Sequence, residues 1–156
     1  MSINRIRVAK DKAALVKALT VSEGTNGTFQ TYADVMVFAA TLGAKRKKRI
    51  PLGEISRNEP APIGYEIFVS RGYDLVFKLL AIAQTKDTKI LSPIEPASEE
   101  KRTHIFEEYA SGGLEILRDE LRGAVDYSEQ LLLVLTAERE GQEKQEEDFN
   151  LSRFLG

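Results

Sequence analysis

Cysteine is absent from this chain, and histidine occurs once, at His104. The first absence excludes a disulfide scaffold, a thiolate zinc site, an iron–sulfur cluster and a cysteine nucleophile. With one histidine, a metal site lacks further ligands of that kind, and His104 with Glu107 and Glu108 on one helical face reads as a surface or boundary residue. A serine hydrolase would need the same His104 as its base, and no Gly-x-Ser-x-Gly elbow is present. Gly24-Thr25-Asn26-Gly27 lacks the Gly-Lys-Ser/Thr ending of a phosphate-cradling loop and reads as a turn. No apolar run reaches the roughly 18–20 residues that cross a bilayer. The longest, residues 75–83, is interrupted by Lys78. The N-terminal stretch Asn4-Arg5-Ile6-Arg7-Val8 lacks the apolar middle of a secretory signal. A cytoplasmic protein with no membrane association, no cofactor and no enzymatic site is expected.

What is present is ordinary globular material: 156 residues, 42% hydrophobic and 29% charged, enough for one domain with a real core and unlike a disordered tail. The net charge of −2 conceals an asymmetry. Residues 1–57 hold eleven Lys/Arg against four acids, and residues 58–156 hold eleven against twenty. Opposed halves point either to a polyanion-binding face or to two surfaces that dock on each other or on partners.

Residues 4–8 alternate with period two, which predicts a short strand with Ile6 and Val8 on one side and Arg5 and Arg7 on the other. Residues 10–21 predict a helix with Ala13, Val16 and Leu19 inward and Lys12 and Lys17 off the stripe. Thr31 with Asp34 has capping-box spacing, with Phe29 placed to staple onto Val35. Val35, Phe38, Ala39 and Leu42 then form an apolar face, and Gly43 sits where a helix stop belongs. Residues 51–64, rich in proline and glycine, predict an irregular connection. Residues 65–69 read as strand or helix, and residues 74–85 as an apolar helix central to the core. A helix capped by Ser98 follows, broken or kinked at Gly112-Gly113 and resuming from Leu114. Asp126 with Glu129 predicts a last helix over residues 128–140. The fold class is therefore mainly α, about five helices with a short N-terminal strand, organised as a single domain over 1–140 and an acidic tail over 141–156.

Two features bear on function. Lys45-Arg46-Lys47-Lys48-Arg49 is a run of mutually repelling cations, which a phosphate backbone would relieve; the plainer reading is a solvated loop. Arg5 and Arg7 precede two helices, the outline of a ribbon–helix–helix unit, in which strands of two molecules pair and enter the major groove of duplex DNA as a homodimer. An ordinary edge strand gives the same pattern. The carboxylate pairs Glu99–Glu100 and Glu107–Glu108 read as solvated helix faces. Phe149, Leu151, Phe154 and Leu155 are too apolar for an acidic tail and are candidate partner-binding residues. Tyr65, Arg71, Tyr73 and Asp74 form the nearest thing to a polar cluster for an enzyme, and they also suit an ordinary helix start.

Several blocks taken together carry a family likeness. They are Ile6-Arg7-Val8-Ala9-Lys10-Asp11-Lys12, Phe29-Gln30-Thr31-Tyr32-Ala33-Asp34-Val35-Met36-Val37-Phe38-Ala39-Ala40, Ala83-Gln84-Thr85-Lys86-Asp87, and residues 105–117 from Ile105-Phe106-Glu107-Glu108-Tyr109 to Leu117. In these blocks the chain resembles the DNA phosphorothioation-associated protein 4 family, the accessory proteins of bacterial Dnd systems. The resemblance implies a role in sulfur modification of the DNA backbone, or in restriction and defence against DNA lacking that mark. The modifying chemistry of such systems uses cysteine desulfurase and iron–sulfur steps, which a chain without cysteine cannot perform. A non-catalytic accessory role is expected, with Arg5, Arg7 and Lys45, Arg46, Lys47, Lys48 and Arg49 on duplex DNA. The alternative is an adaptor that joins other Dnd proteins without touching DNA.

Overall fold

Alternation at the N-terminus puts Ile6 and Val8 fully inside and leaves Arg5 exposed and Arg7 half-buried. In the computed structural model, which describes residues 4–21 and 27–155 and side chains as far as residue 141, the strand β1 (Arg5–Ile6) pairs antiparallel with β2 (Ile63–Gly64). Its partner thus lies in the same chain, Arg5 opposite Gly64, where a ribbon–helix–helix unit would pair it with a second molecule. The proline-rich connection is what supplies β2, and it also bridges Ile55 to Ala9.

The chain forms two compact units, Met1–Asp119 and Glu120–Gly156. In the first, a 3₁₀ turn (Lys10–Lys12) leads into α1 (Ala13–Leu19), followed by α2 (Tyr32–Lys45), α3 (Tyr65–Ser70), α4 (Asp74–Thr85) and α5 (Pro96–Glu120). The second is built on α6 (Tyr127–Leu155). It opens with the Asp126 carboxylate accepting from the Ser128 and Glu129 N–H groups, as the spacing predicts.

The capping box of α2 is present in full. Thr31 Oγ accepts from the Asp34 N–H, and Asp34 Oδ2 accepts from the Thr31 N–H, each at 3.2 Å. Phe29 packs against the Phe38 ring at a tilt of 46°, with centroids 5.3 Å apart. Residues 65–70 resolve as helix, and Tyr65, Phe68, Phe77 and Phe106 form an aromatic core. Phe77 and Phe106 stack at 3.9 Å, and the others meet them edge-on at 5.2–5.6 Å. Burying each phenylalanine contributes about 1.5–3 kcal/mol.

Three sequence expectations change. Gly43 does not end α2, which continues to Lys45, and the chain leaves the helix with Lys47 in the left-handed region at φ 54°. Gly112-Gly113 does not break α5, which is continuous. All three glycines serve close approach instead: a Cβ on Gly113 would lie 1.7 Å from Ala39 O, and one on Gly43 would lie 2.1 Å from Tyr109 O. Helices α2 and α5 therefore cross backbone against backbone. Finally, α4 buries only Phe77 and Ala81 deeply, and its Leu75 and Leu79 are 58% and 56% exposed.

Candidate nucleic-acid interface

The basic run is held on α5 by its own backbone. As α2 ends, the Arg46 N–H donates to Leu42 O and the Lys48 N–H to Gly43 O. Two residues on, the Ile50 N–H donates to Glu108 O. Lys48 O passes so close to α5 that a Cβ on Gly112 would meet it at 1.9 Å. Glycine at 112 is thus what lets the cationic loop lie against an acidic helix.

The side chains follow the backbone. Arg49 Nε donates to Glu108 Oε2 at 2.7 Å, and its guanidinium lies 5.8 Å from the Tyr109 ring centroid. Lys48 Nζ lies 3.3 Å from Glu115 Oε2. Both pairs are partly exposed, so each is worth at most about 1 kcal/mol and is screened by salt. Lys45, Arg46 and Lys47 are exposed at the end of α2. Their position at a helix C-terminus is electrostatically favourable.

Arg7 is bound more deeply. Glu107 is fully buried and takes three hydrogen bonds from this one residue: the Arg7 backbone N–H at 2.6 Å to Oε2, Nε at 3.0 Å to Oε2, and Nη2 at 3.0 Å to Oε1. The hydrogen-bonded Glu107 raises the Arg7 pKa further, against the opposing effect of burial. Such a bidentate pair is fixed in direction as well as charge. Arg5 is exposed and shares a recess of about 370 Å³ with Glu99, Glu100, Thr103 and His104. The proposed cations thus fall into two groups: Arg5 and Arg7 at the acidic side of α5, and residues 45–49 farther along the same helix. His104 is exposed, and among the described residues no group of three or more His, Asp or Glu could hold a metal ion.

Glu107 corrects the sequence reading, which placed it on a solvated face. A signal was available: Glu107, Ala110, Ser111 and Leu114 lie at helical spacing on one stripe, and all four are buried. The same holds for Lys12, expected off the stripe but 3% exposed, four and seven residues ahead of the buried Val16 and Leu19. The polar cluster weighed for an enzyme separates. Arg71 and Tyr73 both bond Asp34, Tyr73 Oη at 2.6 Å, while Asp74 pairs with Lys78 and Tyr65 packs on Phe77. At Asp34, burial acts to raise the carboxyl. Hydrogen bonds from Tyr73 and Thr31 and the charge of Arg71 outweigh it, so the net position is below the ordinary value. Residues 149–155 are helical in backbone, and the side chains of Phe149, Leu151, Phe154 and Leu155 lie outside the described residues.

Among the described residues no helix is long and apolar enough to cross a membrane. No curated protein and no solved structure matches the chain. A family model does, over residues 5–154, and takes in β1, the crossing of α2 with α5 and the whole ion-paired face. The chain belongs to the DNA sulphur modification system-associated protein 4 family, and so is associated with a system that places sulfur in DNA.

Proposed function

We propose that the chain is a non-catalytic, cytoplasmic accessory protein that works as an adaptor, holding other proteins of the DNA sulphur modification system. The observation that supports this best is the pairing of front-third cations with α5: Arg7 with Glu107, Lys48 with Glu115 and Arg49 with Glu108. At least three of the seven cations nominated for DNA are thereby matched by carboxylates of the same chain. Part of the charge asymmetry of the sequence is thus met within the chain, which leaves less of it to attract a polyanion. The exposed Leu75 and Leu79, one turn apart on α4, supply a surface suited to a protein partner. Co-expression with the other components of the system, followed by co-purification, tests this reading. Leu75→Glu with Leu79→Glu, or removal of residues 141–156, is expected to lose at least one partner. If both variants keep every partner, or the intact chain captures none, the adaptor reading fails.

Direct contact with duplex DNA is the second reading, and exposure of Lys45, Arg46 and Lys47 favours it. Contact through these three predicts a slope of log affinity against log salt of no more than about −3, since each phosphate neutralised contributes about −0.9. A gel shift at low salt that is lost when the three become alanine supports it, and no shift at low salt refutes it.

A further inference from the structure

The segment that follows Pro51 is paired along one edge. The Lys10 N–H donates to Glu54 O at 2.9 Å and the Ser56 N–H to Val8 O at 2.8 Å, with Ala9 opposite Ile55 in antiparallel register. In such a ladder successive residues turn their N–H and C=O groups to opposite sides. Glu54 and Ser56 make the bonds to the N-terminal segment, so Ile55 turns its N–H and C=O to the other edge. Neither group has a partner among the described residues. Arg57 is next in the alternation, and its N–H is likewise unpaired among them. A cleft of about 770 Å³ follows the same segment, lined by residues 53–59 and by Lys10 and Ala13 at the start of α1. It is as roomy as a typical ligand cleft. Gly53 leaves it open, with nothing within 4 Å of where a Cβ would be.

Backbone and charge together indicate what fits. Unpaired groups at alternate residues of an exposed edge are a template for another extended chain. Glu54 and Glu59 are already taken, by Lys10 and Lys17 at 3.3 Å each. Arg57 is exposed, and its guanidinium has no ion pair among the described residues. The incoming strand therefore gains most from a carboxylate beside Arg57, while Ala13 and Ile55 offer apolar surface to an alternate side chain.

We propose that the edge of residues 55–57 receives an extended segment of a partner protein by β-strand addition, with an acidic residue of that segment set against Arg57. This rests on the adaptor reading and names a contact made by residues other than Leu75 and Leu79. The full chain is probed against an array of short overlapping peptides that tile the other proteins of the DNA sulphur modification system, and each bound peptide is remade with proline at every position in turn. Strand addition predicts that proline weakens binding at every second position, about fivefold for each backbone hydrogen bond lost. A peptide bound as a helix loses binding at every interior position instead. Arg57→Glu is expected to weaken binding roughly tenfold or more by removing a charge-assisted hydrogen bond, and its exposure lets the variant keep the fold. Ala13→Arg, which fills the cleft from α1, is expected to abolish binding. The proposal is overturned if no peptide binds while the intact chain still co-purifies with its partners, if the proline losses lack the period of two, or if Arg57→Glu binds as tightly as the wild type. A dimer in sedimentation that Arg57→Glu dissociates also overturns it, because a second copy then covers the edge. If the intact chain captures neither peptide nor partner, the adaptor reading fails with it.

Discussion

Replacing Gly113 with alanine tests the crossing of α2 and α5, because opposite signs are expected with and without it. Inside an isolated helix the change is stabilising by about 1 kcal/mol, since glycine loses more backbone entropy on folding and alanine is the best helix former. In this fold the new methyl carbon would lie 1.7 Å from Ala39 O and 2.5 Å from its carbonyl carbon, against the 3.4–4 Å of ordinary contact. The obstruction is helix backbone, which cannot rotate aside as a side chain can, so α2 and α5 must separate by more than an ångström. A gap of even 0.5–1 Å forfeits a quarter to a half of each dispersion contact across it. Overpacking of this kind costs about 1–3 kcal/mol, and a backbone clash belongs at the upper end. Set against the gain in propensity, Gly113→Ala is expected to destabilise by about 2 kcal/mol, a large part of a typical domain's stability. Urea unfolding followed by far-ultraviolet circular dichroism measures it, with Gly141→Ala as control. Gly141 has open space where a Cβ would be, so that variant is expected to be neutral or up to about 1 kcal/mol more stable. A Gly113→Ala protein at least as stable as the wild type would refute the close crossing.

Arg7→Ala strands the Glu107 carboxylate in the core with one backbone N–H; about 3 kcal/mol is expected, the low end for a broken buried pair because Arg7 is itself 38% exposed, and an unchanged urea midpoint would count against the pairing. Glu107→Gln is expected to cost less, since an amide oxygen still accepts from the Arg7 N–H. Asp34 titrates below its ordinary 3.8 in the folded state, so its contribution is complete above that value and is lost as pH falls through the lower folded value. Asp34→Asn is therefore expected to flatten the acid limb of stability below about pH 4 in a thermal-melt series, and an identical limb in both proteins would show the shift to be absent. Phe77→Ala, which empties the centre of the aromatic cluster, is expected to cost about 3–5 kcal/mol by urea unfolding, and a loss under 1 kcal/mol would mean the cluster is loosely packed.

Local signals in the sequence determined the local structure. The Thr31–Asp34 box, the Asp126 cap, the alternation of residues 5–8 and the run over 74–85 each rest on bonds or burial within a few residues, and each is where the pattern puts it. The family likeness was legible for the same reason, as ordered blocks along the chain. What the tertiary structure decided is whatever depends on two distant segments meeting. Gly43, Gly112 and Gly113 look like breakers in one dimension and are contact points in three, because only a crossing helix gives a missing Cβ its use. Glu107 looks solvated until Arg7, one hundred residues away, is set beside it. The basic run looks uniformly solvated until the Ile50 N–H bonds Glu108 O and Lys48 and Arg49 are set beside carboxylates of α5. Charge can be counted from the sequence, but whether it faces solvent or an opposite charge depends on which surfaces the packing of α2 on α5 brings together.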